Sequence, residues 1–427
     1  MQTITAAICA LGVAAWATIQ QQPTFRSSVD LIIVDVQVVG RDGLPVTSLV
    51  PGDFDITIGG KRRQVQSAEL VRAGDVTPAG AISGRPPGSG AATNIWPATG
   101  PGRLFVLAVD ATSVQAEIWQ RVGRTAAVFL AQVHPNDRVG LFAFPSGPAV
   151  EPTLDRTSIS RGLASIVGSG QSLKTSFNLS TSEIVDISAE SVRSMSGGTG
   201  LRRTGGGVLE PGTDTPTVQR VQDRECPNDA NCPARILLDA GQAASLLESR
   251  VQQSLDGLSQ LLTYLREIPG RKTVVLLSGG LAVSDVPGGR PQGDDLASSL
   301  GRELAQANAA IYTLHLDIGR RSATSAVNTR MTLGDSAREA SITGRWLEQF
   351  SGASGGSLLR VEADDGATAL ERVLRETSAH YLLGVEPAPS DRDGALRALA
   401  VKVRPRGVTV RHCNWVIVPR STSGGTF

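Results

Sequence analysis

The chain has 427 residues, 41% of them hydrophobic, which is enough to fill a sizeable core in about two or three domains or in one large domain with additions. Lys plus Arg (41) nearly balance Asp plus Glu (40), so the overall charge favours neither a nucleic-acid nor an anionic membrane-surface binder. Aromatic residues make up only 4%, too few to favour stacking platforms for bases or sugars. We therefore expect no nucleic-acid partner.

The N-terminal segment reads MQTITAAICALGVAAWATIQQQ, and its apolar stretch is too short to span a bilayer comfortably. Ala15-Trp16-Ala17 is a small-x-small pattern typical of a cleavage site. We predict a signal peptide over residues 1–17, and hence a secreted, periplasmic or envelope protein; the alternative is a buried N-terminal helix. No later segment is apolar over the ~18 residues that a membrane span needs, so we expect no integral membrane segment in the mature chain.

Residues 28–72 are predicted to form an N-terminal β segment. Within it VDLIIVDVQVV alternates apolar and polar residues, and DFDITI gives a second strand between turn signals. Residues 73–102 lose this periodicity and are rich in Gly and Pro, which predicts a linker.

Residues 103–379 alternate short apolar strands with helical segments. RLFVLAVD, DRVGLFAF, GRKTVVLLSGG and AAIYTLHLD are the strands, and a long helix near 235–267 carries an apolar stripe of Leu247, Val251, Leu258, Leu262 and Leu265. Buried strands separated by helices predict an α/β, doubly wound, Rossmann-like fold with a mainly parallel central sheet. Residues 380–418 return to strands, and we expect the two β segments to pair as a small subdomain or to flank the central sheet.

Residues 196–234 are polar and glycine-rich, and we predict a surface insertion there. Cys226 and Cys232 enclose turn-forming residues in CPNDANC, so a local disulfide is plausible in an oxidising compartment. Cys413 is expected to be a small buried hydrophobic residue.

Several of these segments together resemble a known family. VDATSVQ, DRVGLFAF and IPGRKTVVLLSGGL look like the strands of a von Willebrand factor type A (VWFA) domain. With the leading VDVQVVGRDGLPVTSLVPGDFDITIGGKRRQV and the closing YLLGVEP segment, the chain is similar over residues 28–418 to exported VWFA-related proteins of acidobacteria. That resemblance implies an A-domain fold and a role in protein or ligand binding rather than catalysis.

The resemblance also implies a position for a metal-ion-dependent adhesion site. In the wider family this site uses Asp-x-Ser-x-Ser after the first strand, a threonine from a second loop and an Asp-Gly after a later strand, all oxygen ligands suited to a hard cation. This chain has Asp110 and Thr112, but Val114 replaces the second hydroxyl and Ser113 stands one position early. The third motif falls on Ser278-Gly279-Gly280, with Gly279 where the aspartate is expected.

We therefore expect a degenerate adhesion site without a metal ion. If Mg²⁺ or Mn²⁺ bound there, Asp110 and Thr112 would be its ligands. Thr175 is the candidate for the second loop by chain order, and Asp285 could substitute for the missing aspartate. The candidates for the binding loops are Ser113, Thr175, Ser278, Gly279, Gly280 and Asp285. The structural alternative for Asp110 is that it caps the helix that follows.

The sequence thus favours an exported, non-catalytic binding protein with an unknown protein partner and no cofactor. The alternative is a hydrolase that uses Ser278 or Asp110. Leu276 occupies the first glycine position of the Gly-x-Ser-x-Gly nucleophile elbow, which disfavours the hydrolase. A cell-envelope scaffold without a small ligand is a third possibility.

Overall fold

The computed structural model describes residues 31–73, 102–171, 173–195, 201–203, 209–211, 216–292, 300–316, 333–361 and 366–420. The predicted signal peptide (1–17) and nearly all of the predicted linker (73–102) lie outside the described residues.

One sheet has six strands, and its core strands are fully buried. The strands are β4 (Leu104–Asp110), β5 (Arg138–Phe144), β6 (Ala149–Thr153), β9 (Lys272–Ser278), β10 (Ala309–Leu316) and β11 (Ser357–Val361). Their order is β11-β10-β9-β4-β5-β6, and β6 runs antiparallel to β5 while the other neighbours are parallel. The carboxyl ends of β4, β5, β9 and β10 therefore lie along one edge.

Helices cover both faces of this six-stranded sheet. They are α1 (Ala116–Gln132), α2 (Arg156–Ser165), α3 (Thr181–Met195), α4 (Thr217–Glu225), α5 (Cys232–Arg266), α6 (Gly301–Ala307), α7 (Leu333–Ser354) and α8 (Gly366–Glu376). Apolar side chains of α1, α2 and α8 pack on one face, and those of α5, α6 and α7 pack on the other. None of the helices in these ranges has the length and apolar character needed to cross a membrane.

The second sheet has seven strands and joins the two ends of the described chain. It contains β1 (Ile32–Val39), β2 (Phe54–Ile58), β3 (Lys61–Arg72), β12 (Ala379–Glu386), β13 (Leu396–Val403), β14 (Thr409–Arg411) and β15 (Trp415–Ile417) in the order β14-β1-β12-β3-β2-β13-β15. Every pairing in it is antiparallel. Alternate side chains of these strands point inward and form a separate hydrophobic core.

The predicted fold class, a doubly wound Rossmann-like domain with a central mainly parallel sheet, is wrong. The larger sheet is antiparallel and curled into a half-barrel, and the other sheet is mixed. The prediction took the sheet of residues 103–379 as the main one and expected the two flanking β segments to form at most a small subdomain. The amphipathic strands at the two chain ends instead build a larger sheet by pairing across more than three hundred residues, as Ile32 does with Val385.

The predicted insertion at 196–234 contains ordered, buried parts. Strands β7 (Leu201–Arg203) and β8 (Leu209–Pro211) pair as an antiparallel ladder, and α4 packs against α5. Val221 and Cys232 are fully buried in a hydrophobic cluster with α3. Cys226 and Cys232 form a disulfide that joins α4 to the start of α5, with Cα atoms 6.4 Å apart.

Candidate functional site

The candidate site lies at the carboxyl edge of the mixed sheet, where β4 ends in Asp110. β4 pairs with β5 on one side and β9 on the other, so Asp110 is in register with Phe144 and lies beside Ser278. The apolar run LFVLAVD fixes this position, because all seven residues of the strand are buried. Only 2% of Asp110 is exposed to solvent.

Four hydroxyl groups surround Asp110, and we call Thr112, Ser113, Ser254 and Ser278 the hydroxyl cage. Thr112 Oγ1 donates to Asp110 Oδ1 over 2.8 Å, and Ser278 Oγ donates to Oδ2 over 3.1 Å. Ser254 Oγ lies 3.1 Å from both carboxylate oxygens. Ser113 Oγ donates to the Asp110 backbone carbonyl over 2.9 Å and lies 3.2 Å from Ser278 Oγ. Both carboxylate oxygens are therefore satisfied by uncharged side chains.

A glycine on α5 allows Ser254 to reach the cage. Gly257 lies one turn after Ser254 and packs on Phe144 so closely that a Cβ atom there would meet the phenyl ring at 2.2 Å. Because no side chain intervenes, α5 approaches the ends of β4 and β5. The position of Ser254 is thus a consequence of close packing between helix and sheet.

The loop after β9 is tied to the same cage. The Gly279 amide donates to Ser113 Oγ over 2.8 Å, and the Gly280 amide donates to Ser278 Oγ over 3.1 Å. Gly280 adopts a φ of 108°, and a Cβ atom there would lie 2.6 Å from Thr343 Cβ. Two predicted glycines of the third motif therefore serve as backbone donors at the cage, in a conformation that suits glycine.

A third loop at this edge, residues 168–171, packs on the segment after Asp110. The Ser169 amide donates to the Ala111 carbonyl over 2.8 Å, and the Gly170 amide donates to the Val114 carbonyl over 2.9 Å. Cβ atoms at Gly168 and Gly170 would lie 2.5 and 2.8 Å from Val114 backbone atoms. Three loops are therefore held in fixed positions around the cage.

Burial dominates the electrostatics of Asp110. Desolvation raises the pKa of its carboxyl group, while the hydrogen bonds from Thr112, Ser113, Ser254 and Ser278 lower it by less. All of the side chains that hydrogen-bond this carboxyl are uncharged hydroxyls. The Asp110 carboxyl group is therefore buried among neutral hydrogen-bond donors and presents no negative charge to the solvent.

The residues around Asp110 do not fit a divalent cation. A hard divalent cation takes six or more oxygen ligands, and the cage offers one carboxylate whose oxygens already accept hydrogen bonds. Val114 is fully buried and apolar, and Gly279 has no side chain to coordinate. Across the described ranges, no group of three or more His, Cys, Asp or Glu side chains is arranged to hold a metal.

Two other predicted site residues have different partners. Thr175 Oγ1 accepts a hydrogen bond from the Leu179 amide over 2.6 Å and so closes a local turn. Asp285 forms ion pairs with Arg338 at 2.7 Å and Arg345 at 3.6 Å, and the Arg338 hydrogen bond lowers its pKa. Arg338 also binds Asp186, so Asp285 fastens its loop to α3 and α7. The Asp285 carboxylate therefore serves this ion-pair network.

Sequence analysis missed Ser254. The predicted apolar stripe of α5 is Leu247, Val251, Leu258, Leu262 and Leu265, and Ser254 occupies the inward position between the second and third of them. A hydroxyl residue at a buried stripe position needs a hydrogen-bond partner, which is the signal that could have found it.

Ser278 is placed poorly for a hydrolase. It is fully buried, and its hydroxyl contacts Asp110, Ser113 and the Gly280 amide. His315 is its neighbour in register on β10, and His315 Nε2 lies 3.3 Å from Thr343 Oγ1. An activated serine needs a base within hydrogen-bond reach and access for the substrate.

A scan against protein-family models finds no match for the chain, and a comparison with curated proteins finds none either.

Proposed function

We propose that the chain is an exported, non-catalytic binding protein that recognises a protein partner through the three loops at the Asp110 edge. The loops are residues 111–115, 168–171 and 279–292. The observation that carries this proposal is that the hydroxyl cage ties β4, α5 and β9 together while Asp110 and Ser278 remain buried. A rigid edge at which Asp110 and Ser278 are both buried suits recognition better than chemistry.

The relationship to VWFA-related proteins is part of the proposal and rests on the sequence segments alone. Export is supported by the apolar N-terminal segment and by the Cys226–Cys232 disulfide, since disulfides persist in oxidising compartments. The hydrolase alternative gains no support from the contacts of Ser278.

Partner recognition is tested by changing exposed apolar residues at opposite edges of the mixed sheet. Val167 is 74% exposed beside the 168–171 loop, and Leu154 is 57% exposed at the far end of β6. The wild-type chain, Val167→Asp and Leu154→Asp are cross-linked in the exporting host and the partners are identified by mass spectrometry. We expect Val167→Asp to lose the partner and Leu154→Asp to keep it. Equal capture by both variants would place recognition elsewhere.

The expectation that no metal ion binds at the hydroxyl cage is tested by calorimetry. Mg²⁺ and Mn²⁺ are titrated into metal-stripped residues 18–427 and into Asp110→Ala. We expect no Asp110-dependent metal binding, whereas Asp110→Ala lowers the free energy of unfolding by about 1–3 kcal/mol because the cage hydroxyls lose their acceptor. Asp110→Asn, which keeps the shape of the side chain, should recover most of that loss. A tight metal site abolished by Asp110→Ala would contradict the proposal.

A serine-directed phosphonate reagent tests the hydrolase alternative. We expect Ser278 to stay unlabelled in the folded protein, because its hydroxyl is buried and bonded to Asp110. Labelling that disappears in Ser278→Ala would favour the hydrolase.

A further inference from the structure

A second candidate site lies away from the Asp110 edge, in a cavity of about 50 Å³ between the two sheets. Its lining comes from β1, the start of β10 and the segment that joins β14 to β15, together with Arg271 just before β9. We propose that this cavity binds a small aliphatic monocarboxylate. The proposal is independent of the function proposed for the Asp110 edge.

The first argument is an unused hydrogen-bond donor. Asn308 lines the cavity, and its Nδ2 atom is buried with no hydrogen-bond partner among the described residues. Asn308 follows α6 with a φ of 45°, a left-handed conformation that asparagine tolerates better than most residues. A buried amide donor without an acceptor is unfavourable, so an acceptor that enters the cavity would relieve that cost.

The second argument is the charge around the cavity. Arg271 pairs with Asp35, and Arg411 shares Glu376 with Arg372 at 3.1 and 2.7 Å. Of these groups only Arg271, Arg411 and Asp35 line the cavity, so its lining carries one positive charge in excess. His412 also lines the cavity and adds no charge, because burial lowers its pKa. A single negative charge on the ligand would balance the group, and a carboxylate matches the planar guanidinium donors.

The third argument is the apolar wall. Leu304, Leu399, Trp415 and Val416 line the cavity beside the polar end formed by Asn308 and Arg271. An apolar wall is best filled by alkyl carbon, which an inorganic anion lacks. The volume holds several water molecules or one small organic molecule, so the tail is limited to about two or three carbons.

Butyrate is the probe, and its binding to the full chain is followed by calorimetry and by ligand-observed NMR. We expect Asn308→Asp to weaken binding by about tenfold or more, because it replaces a donor by a second negative charge. Asn178→Asp is the matched control. Asn178 also has a left-handed φ, 49°, but its side chain is exposed and bonds Glu225 outside the cavity. This variant should bind butyrate as the wild type does.

Two further measurements keep the proposal testable if Asn308→Asp folds poorly. Asn308→Gly keeps the left-handed backbone and removes the whole side chain with its donor, and it should weaken butyrate binding as well. Cys413 lines the cavity, so butyrate should slow alkylation of the Cys413 peptide by a neutral reagent. Failure of wild type to bind butyrate, equal binding by Asn308→Asp, or chloride competing as strongly as butyrate would each overturn the proposal.

Discussion

The two edges of the mixed sheet bury carboxylates in different surroundings. At the carboxyl edge, Asp110 is 2% exposed and bonded to uncharged hydroxyls. At the amino edge, Glu376 is 1% exposed, yet Arg372 and Arg411 both pair with it. Burial is nearly equal, so the difference lies in the partners.

The comparison shows that the charge of the groups bonded to a buried carboxylate decides how costly it is to remove one of them. Breaking an arginine–carboxylate pair leaves a buried uncompensated charge, whereas removing one hydroxyl from Asp110 removes one neutral hydrogen bond among several. The amino edge also contains Gln37, whose Oε1 accepts from Tyr312 across the two sheets over 3.0 Å. We infer that the amino edge fastens the two sheets together, while the carboxyl edge tolerates more change.

The largest expected effect comes from Arg271 at the amino edge. Arg271→Met leaves Asp35 buried without its guanidinium partner and should lower the free energy of unfolding by about 3–5 kcal/mol. Urea unfolding of the variant measures this. The double variant Asp35→Leu, Arg271→Met removes both charges and should regain most of the loss. A double variant as unstable as the single one would mean that Asp35 gains little from Arg271.

The next effect concerns the packing that brings α5 to the carboxyl edge. Gly257→Ala places a Cβ atom against Phe144 and should cost about 1–3 kcal/mol by overpacking. Gly241→Ala on the same helix meets open space and should stabilise the protein by up to ~1 kcal/mol, since alanine favours helix. Thermal unfolding of the two variants gives the contrast. Equal shifts of the same sign would show that α5 does not depend on the close approach at Gly257.

The strands of the mixed sheet are predictable from the sequence because each is marked by a local pattern. The runs that end in Asp110 and Ser278 are continuous and apolar, and both form fully buried strands. The predicted edge where these residues meet follows from parallel pairing of β4 with β9. The fold class failed because strand partners far apart in the chain leave no local signal. The expected small subdomain of the two β segments left open which strands pair, and nothing in β1 itself shows that its partners are β12 and β14.

The candidate site was predictable in part for the same reason. Ser113, Gly279 and Gly280 are close in sequence to the strand ends and do meet at the cage. Ser254 reaches the cage from a helix that only tertiary packing brings near, with Gly257 permitting the approach. Thr175 was chosen by chain order alone, and its hydroxyl closes a turn.

A smaller effect is expected from one cage hydroxyl. Ser254→Ala removes a donor from Asp110 while Thr112 and Ser278 keep theirs, so it should cost about 1 kcal/mol. Ser249→Ala, an exposed position on the same helix, is the control and should change stability little. Chemical unfolding of both variants measures the difference. A loss as large as that of Arg271→Met would remove the distinction drawn between the two edges.

The last expected effect is a pH dependence of stability that belongs to the amino edge. His412 Nε2 accepts from the Val401 amide over 3.2 Å, and burial lowers the pKa of His412 below its usual 6.5. The unfolded chain therefore takes up a proton near pH 6.5 that the folded protein refuses, so stability is full above this pH and falls below it, by at most about 1.4 kcal/mol per pH unit. His412→Gln removes this titration. The difference in urea midpoint between wild type and His412→Gln should therefore change between pH 7.5 and 5.5 (about one pH unit on either side of the unfolded pKa). A difference that stays constant would mean that His412 keeps its ordinary pKa in the folded protein, and that this edge accepts a further positive charge without loss.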